Sequence, residues 1–115
     1  MPASHADRDL DYHLLRQIAG HASTNQRDLA QRMGVSVGKI NYCLRAVIDR
    51  GWVKVNNFRR ADNKWAYAYL LTANGARAKA RLARAFLDRK EQEFEQLQSE
   101  IRILRDELEP SGGKQ

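Results

Sequence analysis

The stretch QRMGVSVGKINYCLRAVIDRG, residues 31–51, decides how the chain is read. Gly34 supplies the permissive backbone that a tight turn needs, and Ser36 has a side chain suited to cap a helix start by accepting a free backbone amide. Beyond it Val37, Ile40, Leu44, Val47 and Ile48 recur at helical offsets, marking one apolar face of a helix that ends near Arg50, at Gly51. The other face carries Lys39, Asn41, Tyr42 and Arg45, all able to donate or accept hydrogen bonds.

Working outward, STNQRDLAQRMG (residues 23–34) reads as a short preceding helix. Asn25 can cap its free amides, Asp28 suits its positive end, and Leu29, Ala30 and Met33 face inward. Further upstream, Leu10, Leu14, Leu15 and Ile18 mark an amphipathic first helix over residues 7 to 19. Downstream, WVKVNNF (52–58) and WAYAYLL (65–71) are β-favouring runs separated by RRADNK, whose Asp62 and Asn63 are turn formers. They predict a hairpin with a basic tip. From Thr72, a further cap candidate, the pattern is helical until Pro110, about 35 residues.

The expected fold is mainly α with a small β-hairpin wing: a winged helix-turn-helix followed by a long C-terminal coiled-coil helix. The expected boundaries are a disordered leader at 1–6, the winged domain at 7–71, the long helix at 72–109 and a disordered tail at 110–115. A chain of 115 residues with 43% hydrophobic content suits such a unit and excludes wholesale disorder. No apolar run approaches the roughly 18 to 20 residues that cross a bilayer, so no membrane partner is expected. The start, MPASHADRDLD, lacks the apolar stretch of a secretory signal, and a single cysteine, Cys43, allows no intrachain disulfide. Both suggest a cytoplasmic address.

Charge is unevenly placed. Residues 1–90 hold 17 Lys and Arg against seven Asp and Glu, a balance of +10, whereas residues 91–115 hold three against seven, or −4. A basic body with an acidic end is a footprint of nucleic-acid binding. Helix, helix, tight turn, helix and basic hairpin is the order in which the third helix enters the major groove and the second lies over the phosphate backbone. The expected DNA-reading set is therefore Ser36, Val37, Gly38, Lys39, Asn41, Tyr42 and Arg45. Arg and Lys can donate to guanine, and Asn can bond adenine in two places. The expected wing contacts are Arg59, Arg60 and Lys64, and the expected backbone contacts at the second helix are Gln26 and Arg27. Polar residues opposite an apolar stripe form a plain solvated face in most helices. The basic hairpin tip is what favours DNA.

The segment NQRDLAQRMGVSVGKINYCLRAVIDRGWVKV (25–55) resembles the helix-turn-helix and first wing strand of MarR-type transcriptional regulators. More narrowly, RGWVKVNNFRRADNKWAYAYLLTANG (50–75), followed by KARLARAFLDRK (79–90), is similar to the exopolysaccharide-associated branch of that family. The resemblance implies a bacterial cytoplasmic DNA-binding regulator, usually dimeric, acting on polysaccharide-synthesis genes, with no enzymatic activity and no cofactor. It leaves a small-molecule effector open.

Read in sevens, Ala80, Leu87, Phe94, Ile101 and Leu108 share one position of the long helix, and Ala83, Lys90, Leu97 and Leu104 the position three later. That is a coiled-coil seam, strongest from Leu87 to Leu108. The residues expected to dimerise are Leu87, Phe94, Leu97, Ile101, Leu104 and Leu108, while Leu82 and Phe86, off the seam, are expected to pack on the winged domain. Helices with basic residues early and acidic ones late suit an antiparallel pair, Ile101 and Leu104 suit a parallel one, and the direction stays open at this level.

No set of residues suggests catalysis: there is no phosphate-binding glycine loop and no nucleophile with an arranged base. His5, His13 and His21 lack metal spacing and read as surface. Trp52, Trp65, Tyr67 and Tyr69 read as sheet-face packing. Cys43 reads as an inert, partly buried thiol. The expected function is thus sequence-specific binding of double-stranded DNA by a homodimeric regulator. The competing reading is a winged protein-interaction module whose coiled coil recruits another chain.

Overall fold

The computed structural model describes residues 5–21, 24–63 and 65–109. Six elements follow one another: α1 (His5–Gly20), α2 (Gln26–Met33), α3 (Val37–Asp49), β1 (Val53–Arg59), β2 (Trp65–Leu71) and α4 (Ala73–Leu108). The fold is mostly helical, with one two-stranded antiparallel hairpin. The chain divides into two compact units, Met1–Ala83 and Arg84–Gln115, with α4 running through the division.

Local chemistry sets the helix ends in the first unit. The Asn25 side chain accepts from the Asp28 amide at 2.8 Å, and Ser36 Oγ accepts from the Lys39 amide at 3.1 Å. Each satisfies one of the free donors that a helix start exposes. Between them Gly34 adopts φ 69°, a left-handed conformation that side chains resist, and Val35 donates to the Ala30 carbonyl at 3.1 Å. The turn of the helix-turn-helix is therefore closed by glycine geometry and a serine cap. At the far end of α3, Gly51 (φ 78°) lets Trp52 N reach back to the Val47 carbonyl at 3.0 Å.

Leu14, Leu15 and Ile18 of α1 meet Leu29 and Ala30 of α2 and Ile40, Cys43, Leu44 and Val47 of α3, with Val53, Tyr69 and Ala78 completing the core. Met33, Ile48, Trp52 and Leu82 pack against its edge. The hairpin pairs Val53 with Leu71 and Arg59 with Trp65. Because side chains alternate along a strand, Val53, Val55, Tyr69 and Tyr67 share one sheet face. Their exposure rises from 2% at Val53 to 51% at Tyr67 as the hairpin leaves the core.

Several expected details differ. α1 starts at His5, before the expected residue 7, so residues 5 and 6 of the expected leader are helical; residues 1–4 and the tail from 110 lie outside the described residues. β1 begins at Val53 rather than Trp52. The Trp52 backbone is committed elsewhere, its N–H to Val47 and its carbonyl to the Thr72 amide at 3.0 Å. Val37, placed on the apolar face by spacing, is 45% exposed, since it opens α3 ahead of the turns that cover the core. Tyr67 stands largely in solvent, while His13 and His21 are half-buried, and His13 lies 5.3 Å from the Tyr12 ring.

One charged pair ties α1 to the end of the third helix. Arg50 Nη1 lies 3.0 Å from Asp11 Oδ2, and Asp11 is buried at 8% exposure. Burial raises the Asp11 carboxyl above its usual value, and the Arg50 hydrogen bond and charge only partly offset that. Desolvation wins, so the arginine mainly relieves a buried charge. Replacing Arg50 with alanine is expected to cost about 1–2 kcal/mol at neutral pH, the penalty of leaving that carboxylate without its partner. A raised folded-state pKa means stability is regained as pH falls toward the unfolded value. The Arg50→Ala deficit should therefore shrink on acidification toward pH ~4, which thermal denaturation of both proteins across that range would read.

Candidate nucleic-acid interface

α3 places its expected reading residues on the outside. Ser36, Val37, Gly38, Lys39, Asn41, Tyr42 and Arg45 are all exposed, while Ile40, Cys43, Leu44 and Val47 are buried behind them. Gly38, Asn41, Tyr42 and Arg45 follow offsets of three, four and seven and so share one face. Tyr42, at 63% exposure, has the Lys39 ammonium 5.6 Å from its ring centroid. A cation over a ring at this distance in water contributes about 0.5 kcal/mol, which leaves the lysine free to exchange the ring for a nucleic-acid oxygen.

The structure adds a role for Gln26 that sequence spacing does not show. Its Oε1 accepts from Asn41 Nδ2 at 3.4 Å, and its side chain also hydrogen-bonds the hydroxyl of buried Tyr69, whose own pKa burial pushes up. Gln26 thus links the first residue of α2 to α3 and β2. One Asn41 N–H is engaged, and the second N–H and the carbonyl oxygen remain available. Those are the two groups an asparagine presents to the N7 and N6 edge of adenine. Gln26, half-buried, is better placed to orient Asn41 than to meet a phosphate directly. Arg27 is exposed beside the α2 start, where free amides and the helix dipole favour an anion.

Around this contact lies a groove of about 320 Å³, lined by Gln26, Asn41, Leu44, Arg45, Ile48, Val55, Tyr67 and Tyr69. Tyr67 and Tyr69 lie two apart on β2 with their rings stacked at 6.5 Å. Strand alternation could have put Val55 and both tyrosines on one face from sequence alone. That this face turns to Asn41 and Arg45 needed the tertiary structure.

At the hairpin tip, Asn63 takes φ 66° and its N–H donates to the Arg60 carbonyl at 2.9 Å. Arg59 Nη1 donates to Asn63 Oδ1 at 3.0 Å, and Arg60 Nη2 lies 3.4 Å from Asp62 Oδ2. Both partners of the second pair are about half exposed, and such pairs contribute about 0–1 kcal/mol. A phosphate can displace them at little cost. Lys64, the third expected wing contact, lies outside the described residues.

Among the described residues no group of His, Cys, Asp and Glu is arranged to hold a metal ion, and no helix is long and apolar enough to cross a membrane. The Cys43 thiol is buried in the core, and that burial, helped by the Asp11 charge, raises its pKa. It is held in the less reactive thiol form.

Residues 7–54 match the family model described as winged helix-turn-helix DNA-binding. No curated protein matches the sequence. Among solved structures, a Streptococcus transcriptional regulator superposes with TM-score 0.68 at 16% identity, over 84% of this chain and 99% of that one. A MarR/EmrR family regulator from Acinetobacter sp. ADP1 gives 0.62 at 14% identity, over 92% and 76%. A MarR family regulator from Rhodococcus sp. RHA1 gives 0.58 at 19%, over 88% and 74%. At these identities the likeness is one of fold. The chain carries a winged helix-turn-helix DNA-binding domain, built on the fold seen in MarR-type transcriptional regulators.

Proposed function

We propose that this protein is a cytoplasmic, homodimeric, sequence-specific binder of double-stranded DNA that regulates transcription, without enzymatic activity. The observation that carries the reading is the outward face of α3. Asn41 and Arg45 stand one helical turn apart on it, exposed, with Gln26 bonded to the asparagine amide. Such a face can dock a major groove and discriminate adenine and guanine edges. The regulators among the structural neighbours support the same reading by likeness of fold.

Self-association rests on the second unit. Leu87, Phe94, Leu97, Ile101, Leu104 and Leu108 are 39–78% exposed on one helix, at the spacing of a coiled-coil seam. A two-fold dimer would address half-sites about 10 base pairs, or a multiple, apart. Polysaccharide-synthesis genes are the proposed targets, on the resemblance of residues 50–90 alone.

Selection of binding sequences from randomised duplex DNA tests the reading. Recovery of a pseudo-palindromic motif supports it. No retention of any duplex at low salt would point instead to the protein-interaction module. On the selected site, Arg60→Ala is expected to weaken cognate and scrambled DNA alike and to lower the salt slope by about one, as read by titrations at several ionic strengths.

A further inference from the structure

The flanks of the α4 seam carry information that its apolar core does not. This inference rests on the self-association proposed above. With Leu87, Phe94, Ile101 and Leu108 at heptad position a and Lys90, Leu97 and Leu104 at d, position e holds Arg84, Glu91, Gln98 and Arg105, and position g holds Phe86, Glu93, Glu100 and Glu107. In a parallel, in-register pair each g residue faces the e residue of the next heptad on the other chain. Glu100 then meets Arg105 twice by symmetry, Glu93 meets Gln98, and Phe86 meets Glu91. From Leu87 to Leu108 no like charges oppose at the flanks; Arg84 would face Lys79 only if the pairing ran on ahead of Leu87.

An antiparallel pair overlapping the same seam brings g to g and e to e. Glu93 then faces Glu100 and Arg84 faces Arg105, each twice. Of the charges that make the gradient from basic to acidic along the helix, which suits an antiparallel pair in bulk, Arg81, Arg89, Glu95, Asp106 and Glu109 point away from the seam, and Arg77 and Lys79 lie ahead of Leu87, where the seam is weak. Flanking residues set the direction of a coiled coil, whereas outward ones are screened within a Debye length of roughly 8 Å.

The core agrees. Ile101 at a between Leu97 and Leu104 at d is a two-stranded parallel pattern. Lys90, the one charged seam residue, would meet its own copy. Its ammonium is drawn aside, 3.1 Å from Glu93 Oε1 and 5.3 Å from the Phe86 ring centroid of the same chain. The charge leaves the axis while the stem stays in the seam. Antiparallel pairing would instead set this lysine against Ile101 in two layers.

We propose that α4 pairs with a second copy of this chain as a parallel, in-register two-stranded coiled coil over Leu87 to Leu108, its direction set by Glu100–Arg105 contacts between the chains. Sedimentation equilibrium of the full chain tests it. Arg105→Glu is expected to weaken the dimer about tenfold, since two attractive pairs become repulsive, and adding Glu100→Arg should restore wild-type affinity. In the antiparallel arrangement the same single change relieves Arg84 and tightens the dimer, which would overturn the proposal.

A geometric test is independent of affinity. On a Cys43→Ser background, Leu104→Cys chains should oxidise to disulfide dimers if parallel. In an antiparallel pair the two copies of position 104 sit roughly 25 Å apart. Cross-linking only between Leu87→Cys and Leu104→Cys chains would overturn the direction. A wild-type chain that stays monomeric at all concentrations would overturn the self-association reading itself.

Discussion

Replacing Gly75 with alanine is expected to destabilise the winged domain by about 3 kcal/mol and to lower its melting temperature by at least ~10 °C. Gly75 is buried in the first turn of α4, and a methyl group added there would overlap the carbonyl of Trp52. That carbonyl cannot yield. It accepts from the Thr72 amide at 3.0 Å, while Thr72 Oγ1 donates to the Gly51 carbonyl at 2.6 Å and accepts from the Gly75 amide at 2.9 Å. The hairpin, the end of α3 and the start of α4 are thereby laced through backbone atoms at one place. Gly20 supplies the control. A Cβ there meets nothing within 4 Å, so Gly20→Ala near the end of α1 should be neutral or slightly stabilising. Thermal denaturation of the two variants separates close packing from the general preference of helices for alanine.

On a selected operator, Asn41→Ala and Arg45→Ala are each expected to cost about 1–3 kcal/mol of discrimination, a loss of roughly ten- to a hundredfold, with binding to scrambled DNA little changed. Both side chains are exposed, so folding should not suffer. The Asn41 effect depends on the amide being presented edge-on, which the bond to Gln26 favours. The measurement is a pair of affinities for each variant, on operator and on scrambled duplex. Equal losses on both would remove the base-reading role and leave only a phosphate contact.

The helix caps were legible because they are local. Asn25, Ser36 and Thr72 each bond an amide three residues away, and both the residue type and the following helical pattern announce this. The core of α1 to α3 was legible for a similar reason, since period and burial coincide. What failed to show were contacts between elements. Gln26 reads as a phosphate-contact residue at the start of α2, and its bonds to Asn41, 15 residues on, and to Tyr69 of β2 show only in the folded chain. Trp52 reads as strand until its backbone is seen to serve two helices. Val37 fits the apolar period yet stands at a helix entrance, where period no longer reports burial. The role of Gly75 was hidden most deeply, because a close backbone approach leaves no trace in side-chain pattern.

Sequence discrimination by the recognition helix is the central claim, and the direct measurement is fluorescence anisotropy of the full chain on the selected operator and on a scrambled duplex at two salt concentrations. An affinity ratio on the order of 10³ or more in favour of the operator is expected, retained at the higher salt while both affinities fall. A ratio near one at both salts, with affinity vanishing as salt rises, would contradict it: the basic surface would then be holding DNA by charge alone.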